Sequence, residues 1–87
     1  MSLKPKTVLI VNDDESLRDS FASALRREFR VLRVGTGEGA LTLLTKDEVD
    51  LVLLDARLPG ISGFEVLQVV RENFPLIEVL VTSPAAD

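Results

Sequence analysis

The chain contains no cysteine, no histidine, no tryptophan and no tyrosine. Without cysteine there is no disulfide framework, no thiolate metal site and no thiol nucleophile, a composition that fits a reducing compartment. Without histidine there is no imidazole base, no imidazole ligand and no phosphohistidine within these residues. Any catalysis therefore falls to carboxylates and hydroxyls. Long apolar runs are missing as well: the longest are Val8 to Val11 and Leu51 to Leu54, against the roughly 20 residues a bilayer requires. No membrane span is predicted. The start, Met1-Ser2-Leu3-Lys4-Pro5-Lys6, lacks the apolar stretch and cleavage site of a secretory signal, and Met1 to Leu3 are compatible with a cloning remnant. Residues 1–6 read as an N-terminal tail, and a cytoplasmic location is the expectation.

What is present describes one lean globular domain. Hydrophobic residues make up 46% and charged residues 28% of 87 residues, far from the composition of disordered chains. A domain of this size buries about 60–65% of the surface its unfolded chain exposes. The net charge of −4 argues against nucleic acid binding by this segment, because a phosphate backbone is gripped by clustered lysine and arginine. The one dense basic group, Arg26, Arg27 and Arg30, reads as a solvated helix face.

Along the chain, short apolar runs alternate with amphipathic stretches. Thr7 to Val11 is a buried strand that breaks into Asn12-Asp13-Asp14-Glu15-Ser16. A helix capped by Asp14 or Ser16 follows, with Leu17, Phe21, Ala24, Leu25 and Phe29 on one stripe. Val31, Leu32 and Val34 form a second strand, and Thr36 caps a short helix carrying Ala40, Leu41, Leu43 and Leu44. Leu51 to Leu54 is a third strand ending on Asp55. Ala56 to Gly63 is a loop, with Pro59, Gly60 and Gly63 as breakers. Phe64, Val66, Leu67, Val70 and Phe74 mark a third helix stopped by Pro75. A fourth strand, Ile77 to Val81, closes on Thr82. This alternation predicts an α/β fold: an open parallel sheet with helices on both faces.

In such sheets ligands bind beyond the carboxyl ends of the strands, where strand order reverses. Three of the four predicted strands finish there in oxygen-bearing side chains: Asn12-Asp13-Asp14, Asp55 and Thr82. Singly these are ordinary turn, cap and strand-end residues. Together they converge on one rim. Asp13 beside Asp55 at the edge of an apolar core calls for a positive partner, and two carboxylates with a backbone carbonyl and waters suit Mg2+. A carboxylate can also attack phosphorus, so Asp55 is the candidate nucleophile, Asp13 the metal ligand and Thr82 a hydroxyl donor to a phosphoryl oxygen.

The stretches Val8-Leu9-Ile10-Val11-Asn12-Asp13-Asp14-Glu15, Asp50 to Gly63 (DLVLLDARLPGISG) and Val79-Leu80-Val81-Thr82 resemble, in order and spacing, the receiver domains of two-component response regulators, which have a flavodoxin-like fold. The resemblance covers residues 7–87 and implies strand order 2-1-3-4. It implies Asp55 as phosphoacceptor for a phosphohistidine of a sensor histidine kinase or phosphotransfer protein. It further implies Asp13 as metal ligand, Arg57 as donor of a backbone carbonyl to the metal, and Thr82 as the hydroxyl that senses the phosphoryl group. Pro59 and Gly63 shape the loop. An output domain elsewhere in the full-length protein is the matching partner. As a catalyst such a domain does no more than promote its own phosphorylation and dephosphorylation.

Two departures stand out. Asn12 replaces the usual second acidic residue, which predicts weaker metal binding, with the amide oxygen accepting from a metal-bound water. The family also continues through a further helix, a fifth strand ending in a phosphoryl-pairing lysine and a last helix; here the domain reads as incomplete, since Lys4, Lys6 and Lys46 lie elsewhere. The fourth strand would then be an unprotected edge. The alternative is a receiver-like interaction module that is not phosphorylated and uses that edge or a helix face to form a homodimer. A flavin protein is disfavoured because Asp13, Asp14 and Glu15 would repel its phosphate. A dehalogenase-type phosphatase would want a carboxylate where Arg57 stands.

Overall fold

The computed structural model describes residues 4–83. Its elements are β1 (Thr7–Val11), α1 (Glu15–Leu25), β2 (Arg30–Val34), α2 (Gly37–Leu44), β3 (Leu51–Asp55), α3 (Gly63–Asn73) and β4 (Glu78–Thr82). The four strands form one parallel sheet in the order β2-β1-β3-β4, as the alternation predicts. Every residue of β1 is buried, because β1 is flanked by two strands and covered on both faces. That is why its sequence is continuously apolar rather than alternating.

The pleat divides the core into two layers. Leu9, Val11, Val52 and Leu54 point to the side covered by α2 and α3, where Ala40, Leu44, Val66 and Val70 meet them. Val8 and Ile10 point to the other side, against Ala22 of α1, with Phe21, Leu25, Phe29, Leu51 and Leu53 packed around them. On β4, Leu80 pairs with Leu53 in the ladder yet is 57% exposed.

Caps set the helix starts as anticipated, and some burial assignments change. Asp14 caps α1 by accepting from Leu17 N at 3.1 Å, and Thr36 caps α2 by accepting from Gly39 N at 2.9 Å. The predicted α1 stripe is corrected: Leu17 is 47% exposed, Ala24 is exposed, and Ala22 is the buried residue. The packed face centres on Phe21, Ala22 and Leu25, where a methyl side chain lets the helix approach Val8 and Ile10 closely. Phe29 lies beyond the helix and is carried to the core by a turn in which its N–H donates to Leu25 O at 3.0 Å. Phe64, at the first turn of α3, is also exposed, at 65%.

The basic trio is exposed but is not a helix face. Arg26 is the C-cap of α1, Arg27 lies in the following turn, and Arg30 opens β2, where it faces Asp47 at 3.6 Å. The last strand runs one residue later than the pattern suggested, because Ile77 N is spent on a turn to Phe74 O at 3.0 Å. Among the described residues no helix is long and apolar enough to cross a membrane.

Leu54 is fully buried between β3 and the α2–α3 layer, whereas Leu76 is 95% exposed. Leu54→Ala should lower the free energy of unfolding by about 2–5 kcal/mol, a large share of what a small domain has. Leu76→Ala should change it by less than about 0.5 kcal/mol. Urea denaturation followed by circular dichroism measures both.

Candidate functional site

Because β1 pairs with β2 on one side and β3 on the other, strand order reverses between β1 and β3, and the crevice for a ligand opens between their carboxyl ends. The registers fix what lines it. Val11 pairs with Leu54, so the next residues, Asn12 and Asp55, stand level across the crevice. Asp55 pairs in turn with Thr82. Alternation along the strands puts Asn12 on the pleat face of Val8 and Ile10, and Asp55 on that of Leu51 and Leu53. Asn12, Asp55 and Thr82 thus form one row across three adjacent strand ends about 5 Å apart, with Asp13 one residue beyond.

The β1–α1 turn is held at several points. Asn12 is buried, at 5% exposure. Its N–H donates to Val34 O at 3.2 Å, its carbonyl oxygen accepts from Arg18 Nη1 at 2.8 Å, and its Oδ1 accepts from Asp14 N–H at 2.9 Å. That last contact is an Asx turn, a side chain standing in for a backbone turn. It bends the chain so that the Asp14 carboxylate turns to the helix N-terminus while Asp13 is left exposed. By helical periodicity Arg18 falls outside the predicted apolar stripe of α1. It is half-buried and reaches back over the first turn. The signal for it is an arginine one turn into a helix that starts from an acidic cluster.

Asp55 is half-buried, and its Oδ1 accepts from Arg57 N–H at 3.0 Å. Ala56 N donates to Thr82 O at 2.8 Å, which carries the β3–β4 ladder to the edge of the crevice. Thr82 Oγ1 sits 3.4 Å from Leu54 O, long for an O–H donor, so turning the hydroxyl elsewhere costs little. The loop beyond Asp55 folds back on itself. Gly63 N donates to Ala56 O at 3.2 Å, and a Cβ at Gly63 would collide with Asp55 O and come within 2.7 Å of Ala56 Cα. Gly60 has φ 74°, the left-handed region glycine tolerates best.

Ser62 and Glu65 close a capping box at the start of α3, their side chains accepting from each other's N–H groups. From α2, Glu38 Oε2 accepts from Ile61 N at 3.4 Å. Glu38 is a second residue that the sequence reading passed over, since nothing in the spacing joins it to a loop 23 residues away.

All the oxygen donors named from the sequence therefore belong to two turns and one strand end at the same rim. Among the described residues no cluster of three or more acidic, histidine or cysteine side chains is poised to hold a metal. A surface depression of about 470 Å³ lined by Lys4, Thr7, Arg30, Lys46, Asp47 and Asp50 lies at the other end of the sheet, by the strand starts.

A model described as the response regulator receiver domain matches residues 8–87. The chain belongs to this family. It is 41% identical over 87 residues to the hydrogenase transcriptional regulatory protein HoxA of Cupriavidus necator, covering 100% of this chain and 18% of that protein. It is 42% identical over 78 residues to the sensory transduction protein RegX3 of Mycolicibacterium smegmatis, covering 88% and 34%. The receiver chain thus spans about a fifth to a third of these curated relatives. Among solved structures, a CheY-like receiver domain protein from Methanospirillum hungatei superposes with a TM-score of 0.91 at 27% identity, over 97% of this chain and 68% of that one. TrrA of Thermotoga maritima, in complex with Mg(2+)-BeF, superposes at 0.88 with 29% identity, over 93% and 71%.

The packing at Gly63 yields a test of the receiver loop. Gly63→Ala forces a side chain against the backbone of Asp55 and Ala56 and should destabilise the domain by about 1–3 kcal/mol, read as a lower urea midpoint. An unchanged midpoint would show that the loop after Asp55 relaxes freely.

Proposed function

We propose that this receiver domain takes a phosphoryl group onto Asp55, from a phosphohistidine of a sensor kinase or phosphotransfer protein, with Mg2+ in the crevice. The observation that carries the reading is the register. Asp55 stands at the strand-order reversal, level with Asn12 and Thr82, with Asp13 next in line. Family membership and the likeness to TrrA support it.

The donor set fits the metal. Two carboxylates, an amide oxygen and a main-chain carbonyl are hard oxygen ligands of the kind Mg2+ takes, and the chain has no cysteine or histidine to favour a softer ion. Asp13, Asp55 and the backbone carbonyl of Arg57 would hold it, with Asn12 reaching it through water. Bound there, the ion neutralises charge that builds on the transferred group.

The protein's own part is positioning. Arg57 N–H anchors Asp55 Oδ1, which leaves Oδ2 as the attacking oxygen. As the Asp55–phosphorus bond forms, the phosphorus–nitrogen bond of the donor breaks and its electron pair returns to the imidazole. Thr82 then turns its hydroxyl from Leu54 O to a phosphoryl oxygen, and that rotation biases two conformations of the β4 end. In the longer protein this bias would be read by an output domain.

The test of the leading function is intact-mass spectrometry before and after acetyl phosphate with Mg2+. The wild-type chain should gain one phosphoryl group and Asp55→Asn none. Incorporation by Asp55→Asn, or none by the wild type, would refute the assignment.

A further inference from the structure

We propose that Glu38, in the first turn of α2, is a positioning residue for Asp55: its carboxylate clamps the turn beyond β3 and so keeps the Arg57 N–H on Asp55 Oδ1. The inference rests on the phosphoacceptor reading above and adds a residue to it. The loop from Ala56 to Ser62 is pinned at its two ends. Ala56 N donates to Thr82 O at 2.8 Å and Gly63 N to Ala56 O at 3.2 Å, and Ser62 is locked by its exchange of hydrogen bonds with Glu65. Between those ends, among the described residues, one hydrogen bond ties the loop to another element, that of Ile61 N to Glu38 Oε2 at 3.4 Å. Pro59 has no N–H to offer.

A contact of 3.4 Å is long for an N–H donor, and packing on the same turn supplies the rest of the clamp. A Cβ on Gly60 would lie 2.6 Å from Glu38 Oε2 and 3.1 Å from Oε1, so the carboxylate occupies the space over the turn that a side chain would take. A Cβ on Gly37 would come within 2.6 Å of Ile61 Cγ1 and 2.7 Å of Val66 Cγ2, which leaves the start of α2 resting directly on Ile61 and α3. Ile61 is half-buried and packs against the α2–α3 layer. Gly37 thus holds Ile61 by its side chain while Glu38 holds it by its N–H. Arg57 is joined to Ile61 through Leu58, Pro59 and Gly60, and the fixed φ of Pro59 stiffens that link. A swing of the turn is therefore passed to the Arg57 N–H, and with it to the orientation of Asp55.

Glu38 is exposed, so in its absence water satisfies the Ile61 N–H and the fold loses little. What is lost is the fixed position of the turn, and a misplaced reacting group costs rate out of proportion to stability. Two variants separate contact from charge. Glu38→Gln removes the charge but keeps an acceptor oxygen at the same reach, whereas Glu38→Ala removes both. Solvent exchange of the Ile61 and Arg57 amides, read by heteronuclear NMR without phosphodonor, should be about threefold or more faster in Glu38→Ala and near the wild-type rate in Glu38→Gln. Phosphoryl uptake from acetyl phosphate with Mg2+, followed by intact mass against time, should slow about three- to tenfold in Glu38→Ala and stay within about twofold of wild type in Glu38→Gln. The urea midpoints of all three should lie close together.

A wild-type exchange rate at Arg57 in Glu38→Ala would overturn this inference, because the clamp would not reach the group that anchors Asp55. So would a loss in Glu38→Gln equal to that in Glu38→Ala, since the acceptor is kept there. Uptake at or above the wild-type rate in both variants would also overturn it and leave the phosphoacceptor reading standing. A wild type that takes up no phosphoryl group would overturn that reading instead, and the Arg57 exchange rates would still decide whether Glu38 holds the turn.

Discussion

Val11 lies beside Leu54 in the parallel ladder between β1 and β3, and that register decides what faces the crevice. A slip of one residue would send every side chain of a strand to the opposite face. It would put Val8 and Ile10 where Leu9 and Val11 meet α2 and α3, and it would take Asp55 out of line with Asn12. The site is thus specified by apolar residues that never touch a ligand. Leu9, Val52 and Leu54 are fully buried, so a shift would cost the α2–α3 layer most of its contacts before it cost the rim anything.

Much of this was legible in the sequence, for reasons particular to the residues. β1 and β3 are buried on both sides, and their continuous apolar runs announced this; each ended on a polar residue that marked a strand terminus to within one position. Glycine and proline breakers separated the elements, and Asp14 and Thr36 cap their helices by the local hydrogen bonds their side chains favour, as does Ser62, which the sequence pattern left in the loop before α3. Where signals were local, the reading agreed with the fold.

The misreadings fall where burial is decided by distant parts of the chain. Periodicity alone put Leu17 and Ala24 on the packed stripe of α1. It is the position of the helix over β1 that selects Ala22 instead. Arg18 and Glu38 look like solvated helix residues in a linear reading, yet each fastens a loop at the crevice, the first by a hydrogen bond to Asn12 O and the second by one to Ile61 N. The Glu38 tether leaves no trace in composition or spacing, because its partner is a backbone atom available in any sequence, and the Arg18 tether is hinted at only by the place of an arginine one turn into a helix that starts from an acidic cluster.

The all-parallel sheet also governs when the crevice can exist. No two of its strands are joined by a hairpin. Thr7 N and the Asp50 carboxylate that anchors it are 43 residues apart, and Thr82 lies 28 residues from the carbonyl it approaches. Closing such separations is the slow, entropically opposed part of folding. No locally ordered fragment can therefore assemble the row of Asn12, Asp55 and Thr82 early. On the ribosome, where the amino-terminal part emerges first, Asp13 and Asp55 remain scattered polar residues until β3 has found β1 and β4 has found β3. The row at the rim is therefore completed only after both long-range pairings, β1 with β3 and β3 with β4, are in place.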